Sequence, residues 1–411
     1  MAEIFVNKNI ELALPHLNKL RFAVLELGSC NATRNVLFPD AVCKFDLVRV
    51  ERPDEELKHD VRSLIVNFSS LFRPGIDFLT ACQNTSSDNI AELDAHKKEA
   101  LSLLNNYFLN LDLHEESLNK VIGKEKKKND EADIKQTETD FTIAVAEHLL
   151  GKLAPSQSYL IDSRGKEENR CKCGCEVLPS YGNTGIGHEE VWHGHADIIF
   201  SPHHPENQSI GKCFPSLSST SDQENTAVKR PHLHVDENME YTDRKTNAEV
   251  KRIATGTSEE AIAQNIVFSL LQKQQYPNSP NCMVPSILIS PDYFQILLYD
   301  AENDVLLCSN FIDLFNVNAD GHLSSEAVVT LWCVLHYRIF CCGLQFENMD
   351  EANIYKSNFS RLAQEKWHIY SNCLKNCVNE FPVVDNTAKV ELWNRKVLQG
   401  TEFCRGMKRR K

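Results

Sequence analysis

Three charged side chains in this sequence stand where charge is costly. Asp197 lies in Trp192-His-Gly-His-Ala-Asp197-Ile-Ile-Phe, and Glu249 and Lys251 lie in Ala248-Glu249-Val250-Lys251. Residues two apart in a strand share a face, so Glu249 and Lys251 project together while Val250 packs on the other side. Asp197 is followed at once by an apolar run, an odd place for a carboxylate without a task. Two carboxylates and a lysine are the tools of phosphodiester hydrolysis, which needs a divalent cation to neutralise charge and a water placed in line. Mg²⁺ or Mn²⁺ would be held by Asp197 and Glu249, with waters and substrate phosphate completing its shell. Lys251 beside them can orient or deprotonate the water and offset the growing negative charge.

Two other groupings invite a metal. Cys171-Lys-Cys-Gly-Cys175 is accompanied by His188, His193, His195, His203, His204, His232 and His234. Structural zinc usually takes cysteine pairs two to four residues apart, and Cys-x-Cys-x-Cys is tighter than that. The favoured reading is therefore a solvent-facing strand edge followed by a histidine-rich loop, with zinc at Cys171, Cys173 and Cys175 the lesser alternative. The segment from Asn316 to Glu326 resembles a calcium loop, but its final Glu comes one residue early, so a turn with helix caps is expected.

These residues need elements to carry them. Residues 1–122 read as mainly helical, with helical spacing from Asp54 to Val66 and from Ile90 to Leu111. Residues 123–139 are almost wholly charged or polar and read as a linker. A helix is expected from Phe141 to Leu153, opened by Thr139 or Asp140. Strands are expected at 175–179, at Val191–Phe200 and at Asn247–Ile253, with a polar insertion over 202–245. Thr257-Ser-Glu-Glu260 reads as a capping box opening a helix that runs to about Gln275. Ser286–Ser290 and Phe294–Tyr299 read as a hairpin around Pro291-Asp292. Residues 301–400 are expected to be helical, and residues 401–411 form a basic tail.

The order helix, strand, strand with Asp, strand with Glu-x-Lys, helix, strand resembles the PD-(D/E)XK, or restriction-endonuclease-like, superfamily. The resemblance covers residues 140–300, about 160 of 411. It implies an α/β (α+β) fold, an αβββαβ core with a central mixed sheet between helical flanks. It also implies that Asp197 and Glu249 bind the metal and that Lys251 assists the water. Gly194-His-Ala-Asp197 matches the Gly-x-x-Asp form of the first motif. By the same resemblance, Glu147 on the first helix adds a metal ligand, and Gln264 on the later helix joins the catalytic group. Ala196 stands where the family's name has Pro, and the interval between Asp197 and Glu249 is long.

The bulk numbers are compatible with this reading without pointing to it. Apolar content of 42% and charged content of 25% are those of a globular chain. A net charge of −13 does not advertise a nucleic-acid binder, although clustering matters more than the total. The N-terminus has no basic stretch followed by an apolar core, so the fifteen cysteines are read as reduced thiols in the nucleus or cytoplasm. Ala327–Phe346 is apolar but carries His336 and Arg338, which suit a buried helix better than a membrane span. The expected activity is that of a Mg²⁺- or Mn²⁺-dependent nuclease with nucleic acid as partner. The rivals are a catalytically inactive nuclease fold serving as a binding module, and a zinc-stabilised regulatory module.

Overall fold

The computed structural model describes residues 7–52, 60–83, 94–122, 137–164, 169–175, 177–201, 216–219, 258–316 and 321–378. The first part of the chain supplies helix α1 (Lys8–Leu17) and strands β1 (Arg21–Cys30), β2 (Val36–Leu37), β3 (Cys43–Leu47), β4 (Arg49–Arg52), β5 (Asp60–Ser63) and β6 (Ile65–Asn67). Helices α2 (Arg73–Gln83), α3 (Ala95–Leu109) and α4 (Leu111–Ile122) follow. Helix α5 (Glu138–Val145) runs on through a π-helical turn (Ala146–Leu150) into a last short turn, Gly151–Leu153.

Next come β7 (Tyr159–Asp162), β8 (Tyr181–Gly182), β9 (Gly185–Gly187), β10 (Trp192–His195), β11 (Ile198–Phe200) and β12 (Ser216–Ser219). Helix α6 (Glu259–Gln275) leads to β13 (Met283–Ile289), β14 (Tyr293–Asp300), β15 (Val305–Ser309) and β16 (Ile312–Asp313). Helix α7 (Ser325–Leu335), several short helices and β17 (Lys375–Asn376) complete the order.

The protein is mixed α/β. Its large sheet has the order β3-β1-β15-β14-β13-β12-β11-β7-β8, with β6 added to β1 and β16 to β14. Pairing is antiparallel throughout except between β12 and β13 and between β7 and β8. Parallel neighbours need a crossover, and α6 is the one between β12 and β13. All seven residues of β13 are buried, as are Phe294 to Asp300 of β14. Such strands show continuous apolar runs because both faces are covered.

Helix α6 is buried from Ala261 to Gln272, its polar Gln264, Asn265, Ser269 and Gln272 included. It packs on β13 and β14 on one side, and on β9, β10 and the turn at Phe38–Asp40 on another. Strands β9 and β10 belong to a second, small sheet of order β17-β9-β10-β2. A helix buried on all sides belongs between two layers, and α6 packs against both of these sheets.

Several expected elements differ. Residues 177–179 form no strand, and the place beside β11 is taken by β7, a short buried run without alternation. Val191–Phe200 is two strands in two sheets, broken at Ala196 and Asp197. The helical spacing read over Asp54–Val66 gives way to β5 and β6, which pair with β4 and β1. Helix α5 is capped by Thr137 in a capping box with Asp140, two or three residues earlier than expected.

Helix α6 begins at Glu259 after Ser258, and Glu260 accepts from the Gln264 amide; Thr257, the expected capping residue, lies outside the described residues. Strand β12 falls within the stretch read as a polar insertion, and it pairs between β11 and β13. The large sheet draws β1 and β3 from the first fifty residues and β15 from beyond residue 300. Ser324 caps α7, as the turn reading of the calcium-like segment implies. No helix among the described residues is long and apolar enough to cross a membrane.

Candidate functional site

Asp197 occupies the bend between β10 and β11, half-buried. The bend is anchored on both sides. Trp192 is fully buried, its indole N–H donating to Asn31 Oδ1 at 2.8 Å. On the other side, the Asp162 amide at the end of β7 donates to the Asp197 carbonyl at 3.0 Å. The Asp162 carboxylate faces His195, with Oδ1 3.3 Å from Nδ1, and Arg164 Nε lies 3.5 Å away. Burial works against that charge, but His195 and Arg164 hold the Asp162 carboxyl below the usual range.

Helix α6 closes the other side. Gln264 is buried, and its amide donates to Glu260 Oε1 at 3.1 Å and to the His195 carbonyl at 3.5 Å. Burial pushes the Glu260 carboxyl above the usual range, and the charges of Asp197 and Glu138 push it further, against the Gln264 bond. The charges of Asp197 at the bend and of Glu138 at the start of α5 thus both act on Glu260 in the first turn of α6.

A second constellation lies along α5. Its π turn carries Glu147 and His148, both buried. The Glu147 carboxylate accepts from Lys152 Nζ at 3.0 Å and from the Tyr159 hydroxyl at 2.7 Å. His148 Nε2 lies 3.1 Å from Cys173 Sγ, 3.4 Å from Cys171 Sγ and 3.6 Å from Cys175 Sγ. All four donor atoms lie within 4.8 Å of one another, so they could hold a metal ion. Gly174 makes the tight spacing workable: its φ of +89° turns the chain back so that Cys173 and Cys175 reach the same point. The Cys175 amide then donates to Cys173 Sγ at 3.3 Å. Burial opposes a charged imidazole, yet the sulfurs of Cys173 and Cys175 draw the His148 pKa up to about 9.

Of the residues expected from the sequence, Asp197 lies at the bend and Gln264 bonds the carbonyl of His195, two residues before it. Glu147 is instead engaged by Lys152 and Tyr159, and the carboxylate that α5 brings toward Glu260 is Glu138. Glu249, Lys251 and the strand expected around them lie outside the described residues, as do His203, His204, His232 and His234. Glu260 and His148 were both missed. Glu260 was absorbed by its capping reading. His148 is separated from the cysteines by more than twenty residues of chain, and its signal was a polar pair set inside an apolar helix. Such a pair needs partners when buried. Comparison of the chain with family models, with curated proteins and with solved structures finds no match.

Proposed function

We propose that the chain is a metal-dependent nuclease that hydrolyses phosphodiester bonds of nucleic acid at Asp197. The observation that carries this reading is the bend itself: Asp197 is set at the head of β11, its charge acts on the part-buried Glu260 of α6, and Gln264 ties Glu260 to the His195 carbonyl beside the bend. The element order supports it in part. Helix α5, β7, β11 antiparallel to β7 and β12, crossover α6, and β13 parallel to β12 follow one another, but β8, β9 and β10 intervene. Strand β12 (Ser216–Ser219) stands third, where the restriction-endonuclease-like resemblance has the strand with Glu249 and Lys251, which lies outside the described residues.

In this reading Asp197 and Glu249 hold Mg²⁺ or Mn²⁺, the bond between Gln264 and Glu260 steadies the wall of the site, and Lys251 acts on the attacking water. Carboxylate oxygens suit those hard cations. The His148 centre has three sulfurs and an imidazole, a donor set that suits zinc instead.

Purified full-length protein is expected to cut DNA or RNA only when Mg²⁺ or Mn²⁺ is added. Asp197→Ala should lose cutting together with cation affinity, measured by titration. Lys251→Ala should bind the cation and the nucleic acid but cut about 10²–10⁴-fold more slowly, the scale of a general acid–base role. Wild type that binds single- and double-stranded substrates yet cuts none with either ion would defeat the proposal.

A further inference from the structure

We infer that His148, Cys171, Cys173 and Cys175 bind one zinc ion as a closed structural clasp, which fastens the β7–β8 connection onto the π turn of α5. The inference rests on the zinc-suited donor set named above and is independent of any chemistry at Asp197.

The distances support a single tetrahedral ion. With Zn–S near 2.3 Å and Zn–N near 2.05 Å, tetrahedral donors sit about 3.6 Å apart for S···N and about 3.8 Å for S···S. The three observed S···N separations are 3.1, 3.4 and 3.6 Å, and Cys171 Sγ lies 3.3 Å from Cys173 Sγ. Four protein donors fill such a shell. A catalytic zinc keeps a position open for water or substrate, whereas a structural one does not. Cys171, Cys173 and His148 are buried, and His148 is wholly sealed from solvent.

The location says what the clasp holds. Strands β7 and β8 are parallel, with Ile161 beside Tyr181 and Asp162 beside Gly182. The chain must therefore cross over between them, and the described residues of that crossover contain neither helix nor strand. They are also poor in apolar residues: Asn169, Arg170, Lys172 and Gly174 alternate with the cysteines. Cys171 and Cys173 reach the core while their neighbours Arg170 and Lys172 are polar, and a metal would anchor the segment through those same thiols. The Cys171 amide bonds the Val177 carbonyl, and the Tyr181 hydroxyl bonds the Asn169 carbonyl, so fixing the thiols fixes the start of β8. Strand β7 in turn ends at Asp162, whose amide bonds the Asp197 carbonyl.

The test uses the full-length chain purified under a phosphine reductant. Elemental analysis should find one zinc per chain and no iron. Chelator extraction should lower Tm by on the order of 10 °C and speed tryptic cleavage after Arg164, Arg170 or Lys172. Zinc should reverse both changes. Cobalt(II) added to the apoprotein should give the intense visible bands of a tetrahedral thiolate site. His148→Ala and Cys173→Ser should each lose the zinc. Should they fail to fold, extraction and refilling of the wild type decide the matter.

Absent zinc, iron in its place, or zinc retained by both variants would overturn the site. Stoichiometric zinc whose removal leaves Tm and proteolysis unchanged would overturn the clasp. Asp197→Ala should keep its zinc. A zinc-loaded wild type that cuts nothing would count against the nuclease alone.

Discussion

Burial, then the charges of Asp197 and Glu138, hold the Glu260 carboxyl above its ordinary range. The folded state therefore binds that proton more tightly than the unfolded chain does. Glu260 contributes stability that is fully present below its unfolded pKa and is lost as pH rises through its raised folded pKa. Glu260→Gln removes the charge while leaving an amide oxygen to accept the Gln264 bond. Without divalent ions, urea midpoints measured from pH 4.5 to 8 should fall less in the variant than in wild type. A cation at this site would displace the proton, so Mn²⁺ affinity in wild type should rise over the same pH window. Parallel stability curves for the two proteins would show that Glu260 is simply a solvated carboxylate.

At the scale of elements, the bend that presents Asp197 depends on how closely β10 meets the turn at Phe38–Asp40. A Cβ built on Gly194 would stand 2.7 Å from the Phe38 ring, which is fully buried. Gly194→Ala must push Phe38 or β10 aside and should cost about 1–3 kcal/mol, the range for overpacking. Gly28→Ala is the control, because its Cβ would meet nothing nearer than the Lys44 carbonyl at 3.8 Å. It should change stability by less than about 0.5 kcal/mol in the same thermal or urea measurement. Equal losses in the two variants would deny Gly194 its special packing.

The Gly-x-x-Asp spacing was legible in the sequence, but its physical reason was not, since Phe38 lies far away along the chain. Helix α6 and the β13–β14 hairpin were likewise legible, because their signals are local: apolar runs bounded by capping residues or by Pro291-Asp292. Strand β7 was not. Four buried residues carry too little pattern to separate strand from helix. The zinc-suited centre was not legible: the Cys-x-Cys-x-Cys spacing reads as a solvent-facing strand edge, whereas Cys171 and Cys173 are buried at a turn, and the fourth donor and the turn at Gly174 belong to tertiary structure.

Across the whole molecule, the sheet ignores the divisions that composition suggests. Strand β14 pairs along one side with β13 and along the other with β15, and β15 pairs in turn with β1 from Phe22 to Leu25. Those β1 residues are wholly buried, as are Val305 to Cys308 of β15. One continuous apolar core joins them to α6 and β13. A fragment limited to residues 140–300 would end at the last residue of β14 and strip off β15 and β1. That would leave Leu297, Leu298 and Tyr299, all fully buried in the whole chain, beside an unpaired strand edge. Exposed, flat, apolar edges recruit other chains. The fragment should therefore aggregate or melt without a cooperative transition, while the full chain unfolds cooperatively by calorimetry. Adding residues 301–316 restores β15 but bares its other edge, because β1 is still missing. That longer fragment should fold only when the segment bearing β1 is co-expressed with it. A soluble 140–300 fragment with a sharp thermal transition would show instead that the middle of the sheet is an independent unit, with β1 and β15 added to a core already complete.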